Sequence, residues 1–142
     1  MEITKVVTGF LRHAGKILLL QRSDQVKTYR GCWAAVSGHL EGDSPFAHML
    51  VEIAEETTLC PDQVELRAQG AVLEKADHNI GCHWRIYPFL FEVLAPEEIQ
   101  TDWEHQDWHW VDIEEIGRYV TVPRLREALD SCLESEREQH IT

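Results

Sequence analysis

The chain has 142 residues, 44% of them apolar and 27% charged, which suits one globular domain over residues 1–142 with a single sizeable core. Thirteen Lys and Arg against 25 Asp and Glu give a formal net charge of −12, which excludes broad binding to a nucleic acid polymer or an acidic membrane, because phosphate contacts need a basic surface. A small phosphorylated ligand stays open, since a bound divalent cation reverses the local potential.

Cys32, Cys60, Cys82 and Cys132 are widely spaced and form no CxxC, and the strand-like N-terminus is neither a secretory nor a membrane-spanning segment. Free thiols and a cytoplasmic location are the expectation.

Ile3 to Leu11 sets β-branched and aromatic residues in near alternation, and Arg12-His13-Ala14-Gly15-Lys16 supplies a turn. Ile17-Leu18-Leu19-Leu20 is a short apolar run of a buried strand, so the pair reads as a β-hairpin. Gln21-Arg22-Ser23 follows at the open end of that strand. Asp24 to Arg30 is a polar loop in which Lys27 and Arg30 add positive charge. Trp33 to Val36 is apolar and leads into Ser37-Gly38.

Next comes a helix start. Ser44 is a good N-cap, and Pro45 suits the first helical position, where its missing N–H costs nothing. The helix carries Glu52, Glu55 and Glu56 within one turn of each other, while Phe46, Leu50, Ile53 and Thr57 form the face expected to be buried. Three like charges so close repel by a few tenths of a kcal/mol per pair on an exposed helix. A solvated acidic face is the bland explanation. A divalent cation with hard oxygen ligands, Mg²⁺ or Mn²⁺, reverses the sign of the cost. His48, one turn before Glu52, is expected to be a surface histidine paired with it.

Cys60-Pro61-Asp62 stops the helix. Val64 to Glu74 reads as one or two strands with a kink at Gly70, and Ala76 to Asn79 as a turn. Cys82 to Leu94 is the strongest strand, although Pro88 implies an edge position or a bulge. Trp108, His109 and Trp110 alternate like a half-buried strand. His105 and His109 invite a zinc reading with Cys82 or His83, but no HExxH helix or paired cysteines support it. Asp112 to Ile116 begins a short turn or helix, and Thr121 opens a final helix with Leu125, Leu129, Cys132 and Leu133 inward. Glu134 to Thr142 is polar and expected to fray. Strands, acidic helix, strands and closing helix make an α+β pattern with a mixed sheet.

From Gly38 through Asp43 to Val51-Glu52-Ile53-Ala54-Glu55-Glu56-Thr57-Thr58-Leu59, the chain resembles the box of the Nudix hydrolase family. That box is a glycine, five residues, Glu, seven residues, then Arg-Glu-apolar-x-Glu-Glu-x-Gly-apolar. Here the loop is one residue short, Asp43 stands for Glu, Val51 for Arg and Thr58 for Gly, while the three helix glutamates are intact. The resemblance spans about Ile3 to Leu133 and implies a Nudix-like α/β/α sandwich. It also implies Mg²⁺-dependent (or Mn²⁺-dependent) hydrolysis of a pyrophosphate linkage in a nucleoside diphosphate-X type substrate.

On the family pattern, Glu52, Glu55, Glu56 and Glu104 are the candidate catalytic residues. The same four with the Ser37 carbonyl are the candidate metal ligands, Glu104 lying in the loop before the Trp-containing strand. Asp43 would brace the helix acids. Arg22, Gly38 and Arg30 are the candidate substrate contacts, with a solvated arginine ending a strand as the plain alternative for Arg22. In the family the arginine of the box orients the first helix glutamate, and nothing in the sequence shows what replaces it at Val51. The partner implied is a small phosphorylated substrate, with a homodimer an open assembly. The rival reading is a Nudix-fold module that binds nucleotide or sugar-phosphate ligands and turns over poorly.

Overall fold

The computed structural model describes residues 2–141, with the side chains of 140 and 141 left aside. Among these, eight strands form one mixed sheet: β1 (Ile3–His13), β2 (Lys16–Arg22), β3 (Trp33–Ala34), β4 (Val36–His39), β5 (Val64–Gln69), β6 (Leu73–Asp77), β7 (Cys82–Val93) and β8 (His105–Asp112). Helix α1 (Pro45–Thr57) follows β4, and α2 (Leu125–Ile141) closes the chain. Ala14 and Gly15, both at positive φ, make the two-residue turn of the β1–β2 hairpin, with His13 opposite Lys16. β1 and β7 run parallel from Ile3 opposite His83 to Arg12 opposite Glu92, and the other pairings are antiparallel.

Alternation along the strands divides the buried residues into two apolar layers. Val7, Leu11, Leu18, Leu20, Phe89, Phe91 and Val93 pack with Met49 and Ile53 of α1. Phe10, Ile17, Leu19, Leu90 and Val111 pack with Leu125, Ala128, Leu129 and Cys132 of α2. A sheet covered on both faces needs apolar residues at odd and even positions alike, which is why Ile17 to Leu20 reads as an unbroken apolar run. The result is the expected α/β/α sandwich.

Four local expectations need correction. β7 is internal, with β1 on one side and β5 and β6 on the other. Pro88 falls where the second partner changes from β6, ending in the pair Leu73–Ile86, to β5, ending in Gln69–Phe89, and its carbonyl accepts from Gly70 N at 3.0 Å. Ladder pairing is already interrupted there, so a proline is tolerated without an edge.

The segment from Glu134 continues as helix to Ile141, anchored by Arg12, which donates to Glu92 and to both carboxylate oxygens of Glu136 at 2.6–2.9 Å. Thr142 lies outside the described residues.

On α1 the buried set is His48, Met49, Ile53, Glu56 and Thr57, while Phe46 is 39% exposed. The helix is turned toward its glutamates because it docks on two positions that lack side chains. A Cβ on Gly9 would stand 2.8 Å from Met49 Cε, and one on Gly38 only 2.3 Å from Glu52 Cδ.

His48 is paired with Glu52 as expected but is buried, not at the surface. Ser44 does cap α1, its Oγ accepting from Ala47 N at 3.1 Å. Thr58 takes the left-handed C-cap conformation (φ 65°) that favours glycine, and its Oγ1 donates to Glu98 O at 2.8 Å. All four cysteines are free.

Candidate active site

The end of β2, β4, α1 and the segment before β8 converge on one cavity of about 390 Å³. Arg22, Ser37, Gly38, Glu52, Glu55 and Glu104 line one part of it. The rest is walled by β1 residues, Tyr29, Lys75 and Trp84, and the start of α2 with Arg124. Six of the positions singled out from the sequence therefore share one space. Glu56 is buried behind it, Arg30 turns away with Nε donating to Val26 O at 2.7 Å, and Asp43 is exposed outside the cavity.

Glu104 arrives through an irregularity in the β2–β8 ladder. Gln21 faces Asp107 but Arg22 faces His105, so one residue of β8 bulges and the chain before it is drawn alongside Ser23. Ser23 N donates to Glu104 O at 2.8 Å and Ser23 Oγ to Trp103 O at 2.9 Å. Asp102 closes the loop, Oδ1 accepting from Glu104 N at 3.2 Å and from His105 Nδ1 at 3.0 Å. On the facing side, Arg22 donates from Nε to Thr28 O at 3.0 Å and from Nη2 to Thr28 Oγ1 at 3.3 Å. Nη1 makes no hydrogen bond among the described residues.

Among the described residues, none of the acids Glu52, Glu56 and Glu104 forms a salt bridge with a lysine or arginine. Glu56 is 1% exposed, and Oε2 finds no hydrogen-bond partner. Burial first, then the hydrogen bond and charge of Glu52, hold its carboxyl well above the usual carboxylate range, so it keeps its proton to higher pH than an ordinary glutamate. His105 Nε2 lies 3.6 Å from Glu56 Oε1, too far for a hydrogen bond. Burial lowers the His105 pKa against the opposing pull of Asp102. Both shifts favour the uncharged forms, and with Nδ1–H given to Asp102 the ring turns its other nitrogen toward Glu56. Burial and the neighbouring Asp102 likewise raise the Glu104 carboxyl.

Glu52 is hydrogen-bonded to His48, Nε2 to Oε1, at 3.0 Å. Among the described residues no three His, Cys, Asp or Glu side chains stand close enough to form a ready-made metal cage.

The sequence reading missed His48 as a buried group, passed over Asp102, and weighed His105 only as a zinc ligand, whereas His105 stands beside Glu56 and Asp102 holds its ring. The Asp-x-x-His spacing just before β8 is the one local signal that pointed to them. The zinc alternative fails: His105 is buried against Asp102, whereas His109 packs at 4.6 Å on the ring of Trp33. Of the tryptophans near the site, Trp84 lines the cavity, Trp103 is 66% exposed and outside it, and Trp108 packs against the core beneath α1.

The same fold recurs widely. The structure of a C. elegans Ap4A hydrolase binary complex superposes with a TM-score of 0.71 at 20% identity, over 92% of this chain and 94% of that one. A NUDIX hydrolase from Nitrosomonas europaea gives 0.75 at 18% identity, over 92% and 88%. The E. coli dihydroneopterin triphosphate pyrophosphohydrolase gives 0.71 at 18% identity, over 90% and 92%. Among curated proteins no sequence matches this chain. A family profile described as NUDIX domain matches residues 3–132, nearly the whole sandwich and every acid of the cavity, and the chain belongs to the Nudix family.

Proposed function

We propose that this protein is a Mg²⁺-dependent hydrolase, with Mn²⁺ as a substitute, that cleaves a pyrophosphate linkage in a nucleoside diphosphate-X type substrate. The observation that carries the reading is that Glu52, Glu55 and Glu104 line one cavity together with Arg22 and Lys75, while the same helix buries a partnerless acid oxygen on Glu56. Structural neighbours named as an Ap4A hydrolase and a triphosphate pyrophosphohydrolase point the same way.

The donor set fits a hard cation. Every group is a carboxylate or the Ser37 carbonyl, and the buried, partnerless Oε2 of Glu56 marks where positive charge is wanted. A loose set with no closed cage suits an ion that keeps several waters and takes phosphate oxygens from the substrate. Glu52, Glu55, Glu56, Glu104 and the Ser37 carbonyl would hold it. When bound, the cation supplies neutralisation of the diphosphate charge and a lowered pKa for the attacking water.

The chain's own residues do the rest. Glu104, raised by burial and Asp102, is the best placed to accept the water's proton, with Glu52 the alternative on the helix. Arg22 is held by Thr28 so that Nη1 remains to meet a phosphate oxygen. Gly38 lines the cavity with bare backbone that a substrate can approach closely.

The test is product release from NDP-sugars, dinucleoside polyphosphates and nucleoside triphosphates, with and without Mg²⁺. Wild type should hydrolyse at least one class only with metal. Glu56→Gln should lose about 100-fold or more, since even outer partners of metal ligands are worth about 10–100-fold. Tight ligand binding without product from any class would instead identify a binding module.

A further inference from the structure

Val51 is 47% exposed and apolar, so it offers Glu52 no support from the preceding position. What touches the Glu52 carboxylate is now visible. Gly38 lies flat against it, with room for no Cβ between them. Glu56 and Glu104 are acids, and Arg22 commits Nε and Nη2 to Thr28. The remaining neighbour is His48, one turn earlier, with Nε2 3.0 Å from Oε1 and side-chain exposures of 7% for His48 and 13% for Glu52. His48 does not line the cavity, so it cannot touch a substrate there.

We propose that His48 is the positioning residue for Glu52. Its Nε2–H donates to Oε1, and the imidazole with the Gly38 backbone clamps the carboxylate from two sides so that it faces the cavity. An ionised carboxylate only accepts, which fixes the donor as the ring N–H. Burial matters as much as the distance. An exposed pair four residues apart samples many rotamers, whereas this pair is packed in one. The positioning role replaces, from inside the helix, what a guanidinium at position 51 would supply from its surface. Its consequence for turnover rests on the hydrolase reading; its consequence for cation binding does not.

The experiment compares wild type, His48→Ala and His48→Gln, the amide of Gln reaching about as far as Nε2. Mn²⁺ affinity is read by electron paramagnetic resonance and kcat and KM on the best substrate. Long-range ¹H–¹⁵N spectra of the imidazoles are recorded on the metal-free protein. Removal of the ring should weaken Mn²⁺ binding and lower kcat by about 10–100-fold, with KM little changed. His48→Gln should recover most of both. In the spectra, Glu52→Gln should shift the His48 ring nitrogens while those of His13, whose Nδ1 lies 3.0 Å from Val93 O, stay in place. Unchanged Mn²⁺ affinity in a folded His48→Ala, His48→Gln as defective as His48→Ala, or a His48 signal blind to Glu52→Gln each overturns the proposal. A wild type inert on every substrate would sink the hydrolase reading alone, because the Mn²⁺ and spectral comparisons still decide the role of His48.

Discussion

Glu56→Gln has opposite consequences for stability and for turnover, and both follow from burial. The Glu56 side chain is nearly sealed, Oε2 is partnerless, and burial with Glu52 raises its carboxyl well above the usual range. A carboxyl whose folded pKa exceeds its unfolded value binds a proton more tightly in the folded state. Its contribution is complete below the unfolded pKa and is lost as pH rises through the folded one. In EDTA, wild type should therefore lose stability as pH climbs from the ordinary carboxylate range. Glutamine has the same shape and cannot ionise, so that slope should shrink, leaving the part due to Glu104, whose carboxyl is raised too.

At alkaline pH the difference approaches the cost of leaving a buried polar group uncompensated, about 1–3 kcal/mol in favour of the variant. For a domain of this size that is roughly 3–10 °C in Tm. A cation reverses the order: at 100 times its Kd it stabilises wild type by about 2.7 kcal/mol, and the variant by much less. Calorimetry from pH 5 to 9, in EDTA and in Mg²⁺, reads all of this from one pair of proteins. Parallel pH slopes in EDTA, or equal Mg²⁺ shifts, would refute the buried-proton account.

Two further outcomes are expected. Gly38→Ala places a methyl where the Glu52 carboxylate stands, within 2.6 Å of three of its atoms, and the carboxylate must swing aside. Turnover should fall by about 100-fold or more while circular dichroism stays native; an active Gly38→Ala would mean that Glu52 need not stay where it is. Arg12→Ala leaves Glu92 and Glu136 facing each other without their shared guanidinium, at side-chain exposures of 23% and 16%. The loss should be about 1–3 kcal/mol, with hydrogen exchange accelerated most in residues 134–141; protection there unchanged from wild type would show that α2 holds its last turns by other means.

Much of this protein is legible in one dimension because its signals are local. The Ser44-Pro45 start, the Ala14-Gly15 turn and the apolar run from Ile17 to Leu20 report backbone preferences and two-sided burial directly. The box spacing of Glu52, Glu55 and Glu56 and the place of Glu104 before the Trp strand were readable for the same reason.

Only the tertiary structure decided which of these acids are wet. A helical repeat gives the angle between Glu55 and Glu56, but not which of them meets the sheet. That was set by Gly9 and Gly38 on two neighbouring strands, whose bare backbones let α1 roll toward its acidic side and bury Glu56 and His48. Arg30 and Asp43 sit near the site in sequence, and loop geometry carries both away from it. Asp102 and His105 are far from the helix in sequence, and a one-residue bulge in β8 brings them to its glutamates. Contacts of that kind depend on where two separately formed elements come to rest, and a linear pattern holds no record of the distance between them.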